Sequence, residues 1–200
     1  MDFINEQTTV QTVGGSTDTY NGTLNGVIFD YNGSVTSLGG TLQRDSQVTI
    51  AASNDVVIQD HLRYEDYATV DGLPTAEGTT NVLGIVSWNG DVKIGTSAPD
   101  NVDIHSTIMA PNGIFTVDNY DDTGVGYRGQ ATLLGGIITE NYGAFGQFST
   151  SSGPLSGYGR NFVYDQRMLS GFSSPYFPTL QNFIAISDLN EPPTWSGGGG

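Results

Sequence analysis

Four stretches of the chain carry the same punctuation. "GVIFDYNGSVTSL" runs from Gly26 to Leu38, "VTIAASNDVVIQ" from Val48 to Gln59, "LGIVSWNGDVKIG" from Leu83 to Gly95 and "STIMAPNGIFTVD" from Ser106 to Asp118. Each is a short β-rich run, a polar corner of Asn-Gly or Asn-Asp, and a second β-rich run. The corner residues are Asn32, Asn54, Asn89 and Asn112, at intervals of 22, 35 and 23. Taken singly, Asn-Gly between apolar runs marks a two-residue hairpin, because both residues tolerate positive φ. A hairpin has no reason to recur at a fixed period. A coil that cannot bury its own apolar side chains does, because stacked copies share one interior.

The pattern therefore predicts an all-β fold, a single-stranded parallel β-helix (β-solenoid) whose four asparagines form a corner ladder with their side-chain amides in reach of one another. Continuous apolar runs such as "VLGIV" and "VTIAA" suit strands buried on both faces in parallel pairing. The long interval holds an insertion, "RYEDYATVDGLPTAEGTT", Arg63 to Thr80, and Thr132 to Gly146 reads as a fifth copy with a degraded corner. An antiparallel sandwich or meander stays open as the alternative. The spacers carry turn signals of their own, "LGG" at Leu38 to Gly40 and "TSAPD" at Thr96 to Asp100.

The ends depart from the repeat. Residues 1–24 read as an N-terminal strand or arm, 25–146 as the solenoid with its insertion at about 63–80, 147–195 as an aromatic and proline-rich capping extension, and 196–200 as a flexible glycine tail. A strand outside the repeats can pair with its own fold, cap the first coil, or be donated to a neighbour. Phe3, Ile4, Val10 and Val13 are its candidate assembly residues.

Charge narrows the partners. The net charge is −15, from 21 acidic and 6 basic residues, which disfavours nucleic acid and anionic lipid. There is no cysteine, which excludes disulfides and thiolate metal sites. No apolar run approaches the ~18 residues of a membrane helix, and the first residues lack a basic start with an apolar core. No membrane contact by this chain is expected.

"LGIVSWNGDVKIGTSAPDNVDIHSTIMAPNGIFTVDNY", then "TLLGGIIT", "SGYGRNFVYDQRM" and "SPYFPT", resemble a bacterial β-solenoid domain family of unassigned function. That family is often carried behind a type IV pilin-like helix, as in a competence-associated minor pilin. The likeness covers roughly Asn25 to Thr179. It implies a β-solenoid displayed outside the cell, on a pilus-like or other surface assembly. Nothing here matches a prepilin cleavage site or the long apolar pilin helix, so the expectation is an ectodomain or a relative that assembles by another route.

Chemistry-bearing motifs are sparse. His61 and His105 are the only histidines, and His105 shares a strand face with Asp103 by alternation. There is no G-x-S-x-G elbow, P-loop or H-E-x-x-H. Asp118, Asp121 and Asp122 cluster in "VDNYDDTG" and are weak metal candidates, since the spacing fails the EF-hand loop. Of the six basic residues only Lys93 falls within a repeated strand, beside Asp91. Trp88, Tyr120, Tyr142 and Tyr158 are candidate contact aromatics, whereas Phe145 and Phe148 read first as packing.

The expectation is thus a non-enzymatic structural protein with no cofactor and no catalytic residue, a subunit or head of an extracellular filament. Its partners would be other copies of itself or filament subunits, and glycan. The alternatives are an adhesion module binding a surface glycan, and a carbohydrate-active β-helix enzyme.

Overall fold

The computed structural model describes residues 2–4, 7–21 and 26–178, and within them the chain is all-β apart from one short 3-10 turn. Residues 179–200, with the end of the expected extension and the glycine tail, lie outside the described residues.

Alternation decides strands such as Val56–Tyr64 locally, a continuous apolar run decides Val82–Ser87, and register stacks the strands. In Gln47–Ala52 (β6), Val48, Ile50 and Ala52 are fully buried. β-branched residues suit this pleated, packed setting. The strands Gly26–Asp30 (β4), Val82–Ser87 (β10), Asp103–Ala110 (β12) and Tyr127–Thr139 (β14) join β6 in one parallel column. Its register places Ile28, Ile50, Ile85, Ile108 and Ile137 side by side, one per strand. The first three steps advance by 22, 35 and 23 residues, the same intervals that separate the corner asparagines.

Beyond the corners, Val35–Leu42 (β5), Val56–Tyr64 (β7), Val92–Ile94 (β11) and Phe115–Val117 (β13) form a second parallel column, with Leu38, Ile58, Ile94 and Val117 in register. A third column aligns Gly40, Leu62, Ile104, Leu133 and Phe162, the last from Gly153–Tyr164 (β16). The inward residues of the three columns make one core, in which Leu38, Ile50, Ile58, Ile85, Ile94, Ile104 and Ile108 are fully buried. Each such side chain contributes about 1.5–3 kcal/mol by leaving water. Parallel pairing continues past residue 146 through β16, so the expected end of the repeats falls one strand too early.

The Asn-Gly corners are not hairpins. β10 pairs with β6 and β12, while β11, across Asn89-Gly90, pairs with β7 and β13. A true hairpin occurs in the insertion, where Ala68–Val70 (β8) and Leu73–Thr75 (β9) pair antiparallel. Its turn residues Asp71 and Gly72 have φ of 51° and 80°, the double left-handed turn that the dipeptide signal describes.

The N-terminal arm pairs with its own chain, the first of the three arrangements left open for it. Asp2–Ile4 (β1) runs parallel to β5, with Phe3 opposite Gly40. β1 then pairs antiparallel with Gln7–Gln11 (β2), and β2 with Thr17–Asn21 (β3). Val10 lies in β2, and Val13 in the following turn is solvent-exposed.

The C-terminal segment crosses the outer face of the first column rather than closing its end. The Thr49 hydroxyl donates to the Pro175 carbonyl and lies 2.8 Å from Ser174 Oγ, and the Thr107 hydroxyl lies 3.6 Å from Met168 Sδ. A side chain at Gly84 would collide with Ser174 and Phe177. This cover buries β10 on both faces, as its continuous apolar run requires. Arg167 fastens the segment, with a doubly bonded ion pair to Asp165 and donation to the carbonyls of Thr79 and Asn81.

Candidate functional site: an aromatic cleft beside the corner column

Corner geometry follows from how closely successive turns approach. Asn54 Nδ2 donates to the Asn32 carbonyl at 3.3 Å, and Asn112 Nδ2 donates to the Trp88 carbonyl at 2.8 Å. Asn54 and Asn112 thus bond to the backbone of the preceding corner, while Asn32 and Asn89 make no such side-chain bond among the described residues, so the contacts run amide to carbonyl rather than amide to amide. Of the four, only Asn32 has a positive φ, and none of the glycines after them does. The glycines serve proximity instead: a Cβ at Gly90 would overlap Asp55.

One residue further on runs a carboxylate ladder. Asp55 Oδ1 accepts from the Asp91 backbone N–H at 2.9 Å, and Asp91 Oδ1 accepts from that of Ile114 at 3.0 Å. Lys93 Nζ sits 2.5 Å from Asp55 and 3.8 Å from Asp91, so its main partner is one turn away rather than its strand neighbour. Burial opposes ionisation of Asp55, but the bonds from Lys93 and the Asp91 backbone hold its carboxyl below the usual range.

On the outward side of the same turns the register leaves a dent. Phe29 faces Ala51, and Ala51 faces Val86. Two residues on, the same offsets place Tyr31, Ser53 and Trp88 in a row. The first and third turns carry rings where the second carries small side chains. The result is a cleft of about 490 Å³, floored by Ala51 and Ser53, walled by Phe29, Tyr31 and Trp88, and rimmed by Asn32, Asn54 and Asn89. The rings are open to solvent, with Tyr31 75% and Trp88 51% exposed. Phe29 and Tyr31 packed edge to face, with centroids 6.1 Å apart, stiffen one wall. The sequence reading chose Trp88 and missed Phe29 and Tyr31. The signal was present, since "FDYN" and "VSWN" hold the same position in the repeat.

The other candidate aromatics fare differently. Tyr142 is exposed beside a second cleft of about 550 Å³, with Arg160 4.2 Å above its ring. Tyr120 is at the edge of exposure. Tyr158 is wholly buried, its hydroxyl donating to the Pro99 carbonyl at 3.0 Å and burial pushing its phenol up to about 12, so it is a core residue and no contact aromatic. Phe145 is buried as read, but Phe148 is exposed.

No three metal-ligating side chains converge among the described residues. Asp122 Oδ1 caps the Gly124 backbone N–H at 2.8 Å, a turn role, and Asp121 is exposed beside it. Asp118 is near enough to Lys93 to favour its charged form.

The histidines and basic residues form a structural network. Arg63, Arg128 and Arg160 lie in strands β7, β14 and β16, which corrects the reading that left Lys93 alone there. Arg63 binds Asp103 at 2.6 Å. His61 Nδ1 accepts the Asp103 backbone N–H at 3.0 Å, and His105 Nδ1 accepts that of Tyr64 at 3.1 Å. Burial lowers the His105 pKa to about 4, and the ring packs edge-on against Tyr64 and Tyr67. Among the described residues no helix is long and apolar enough to cross a membrane. No family model, no curated protein and no solved structure matches the chain.

Proposed function

We propose that the protein is a non-catalytic, surface-displayed structural subunit. In this reading the parallel columns are successive coils of a single-stranded β-solenoid with an arm at one end, a hairpin insertion and an outer strap. The solenoid stacks end to end with other copies in an extracellular filament or pilus-like assembly. Surface display rests on the resemblance to domains carried behind pilin-like helices.

One observation carries the stacking: the first column is open at both ends. Among the described residues β4 pairs only with β6, and the stretch Gly136 to Thr139 of β14 pairs only with β12. Each open strand shows apolar side chains to solvent, Val27 and Phe29 at one end, Ile137 and Ile138 at the other. An unpaired edge is a template for another strand. Continuing the register sets Ile137 of one copy beside Ile28 of the next. That contact joins unlike ends, so it propagates as a fibre rather than closing as a dimer.

A structural role is favoured over carbohydrate chemistry by where the carboxylates point. Asp55 and Asp91 are engaged by backbone N–H groups and Lys93, and Asp103 by Arg63, so none of these three is a free acid or base.

The test is sedimentation velocity over a concentration series, with Val27→Lys blocking one end and Ile138→Lys the other. Both positions are exposed, so the fold tolerates the change, and thermal unfolding checks this. The wild type is expected to grow with concentration, and each variant to stay monomeric. An equal mixture, with one good end per chain, is expected to stop at pairs. A wild type that remains monomeric at every concentration overturns the proposal.

A further inference from the structure

We propose that the cleft between Tyr31 and Trp88 binds a neutral glycan chain, with a sugar ring held between the two aromatic walls. The inference does not depend on end-to-end stacking.

Three observations lead to it. The first is spacing. Tyr31 and Trp88 stand two turns apart with Ser53 between them, and adjacent parallel strands are about 4.8 Å apart, so the two backbones are separated by roughly 10 Å. That slot admits a flat ring with an apolar face in contact with an aromatic on each side. Pyranose rings present such faces through their axial C–H groups.

The second is the polar rim. Asn32 and Asn89 line the cleft, and among the described residues their side-chain amides make no hydrogen bond to the protein. An amide offers two donors and one two-lone-pair acceptor, which suits neighbouring hydroxyls. A purely apolar ligand would strip water from these amides and return nothing.

The third is charge. No carboxylate, ammonium or guanidinium lines the cleft, while the chain as a whole carries −15. Polyuronates, sulfated glycans and nucleic acids are repelled by that field. A basic peptide finds no ion pair within the cleft. The second aromatic cleft lacks these properties, because Arg160 already stacks on Tyr142 and Phe145 there.

The test is a titration of the Ile138→Lys variant, whose substitution lies outside the cleft lining, two strands beyond Val86, so that failure of stacking leaves the result readable. Trp195→Phe leaves Trp88 as the only indole. Probes are cellohexaose and chitohexaose as neutral chains, with polygalacturonate, heparin and a nucleoside as controls. Saturable change in Trp88 emission is expected with a neutral chain. Tyr31→Ala should weaken binding at least tenfold, and Trp88→Ala, read by calorimetry, should do the same. Trp88→Phe should retain some of the affinity, and Tyr142→Ala should leave it unchanged. Thermal unfolding of each variant separates lost binding from lost fold. No saturable binding of either neutral chain, tighter binding of a control, or affinity indifferent to Tyr31 and Trp88 overturns the proposal.

Discussion

A side chain at Gly113 would overlap the carbonyl oxygen of Gly90, its counterpart one turn earlier. The two glycines lie 23 residues apart in sequence and in touching positions in space. Gly113→Ala must therefore push adjacent turns apart at the corner, and overpacking of this kind costs about 1–3 kcal/mol. Gly78→Ala is the comparison, because no atom lies within 4 Å of a Cβ there and only its φ of 82° is strained. Urea denaturation should show the larger loss at Gly113.

The corner periodicity and the core alternation were legible because period and alternation are written in single residues. The purpose of the glycines was not legible. "NG" is the same text in a hairpin turn and in a crowded corner, and the difference lies in Asp55 or Gly90 one turn away. Tyr158 and Tyr31 were likewise indistinguishable on paper. One turns inward beneath Arg128, 5.0 Å from its ring, while the other faces a gap created by Ser53 of the next turn. The end of the repeats was misplaced because β16 sits 29 residues beyond β14 instead of 22 or 23, as β14 does beyond β12. At the step from β12 to β14, Asn141 takes the corner position opposite Asn112.

Arg167 ties the C-terminal segment to the insertion. Its guanidinium and the Asp165 carboxylate are 12% and 6% exposed, so removing one partner strands the other in a dry site. Arg167→Ala is expected to destabilise by about 3–5 kcal/mol, and Asp165→Asn/Arg167→Met to recover much of that loss. Limited proteolysis should find the 65–80 segment cut first in the single variant, since Thr79 and Asn81 lose their donor.

His105 makes stability depend on pH. Burial is the largest cause of its low pKa; Asp103 and Asp165 pull it back up, while Arg63 and His61 push it further down. The unfolded chain takes a proton near pH 6.5 and the folded chain only near 4, so stability falls as pH drops between those values and levels off below for this group. The full effect is about 3 kcal/mol at 1.36 kcal/mol per pH unit. His105→Gln should flatten the denaturation midpoint across this window, relative to the wild type.

The account rests on Asn89-Gly90 being a corner of a wound chain, and cross-linking tests that most directly. The chain has no cysteine, so a two-cysteine variant at low concentration can form only one disulfide within the molecule, read as the non-reduced monomer. Parallel pairing of β11 with β7 sets Lys93 beside Val57, 36 residues earlier, within disulfide range, whereas a two-residue hairpin at Asn89-Gly90 would set Lys93 opposite Val86. Val57→Cys/Lys93→Cys is expected to oxidise readily with its unfolding temperature kept or raised, and Val86→Cys/Lys93→Cys to remain reduced. Oxidation of the second pair with the first left as free thiols would contradict the winding, and the cleft and the open ends along with it.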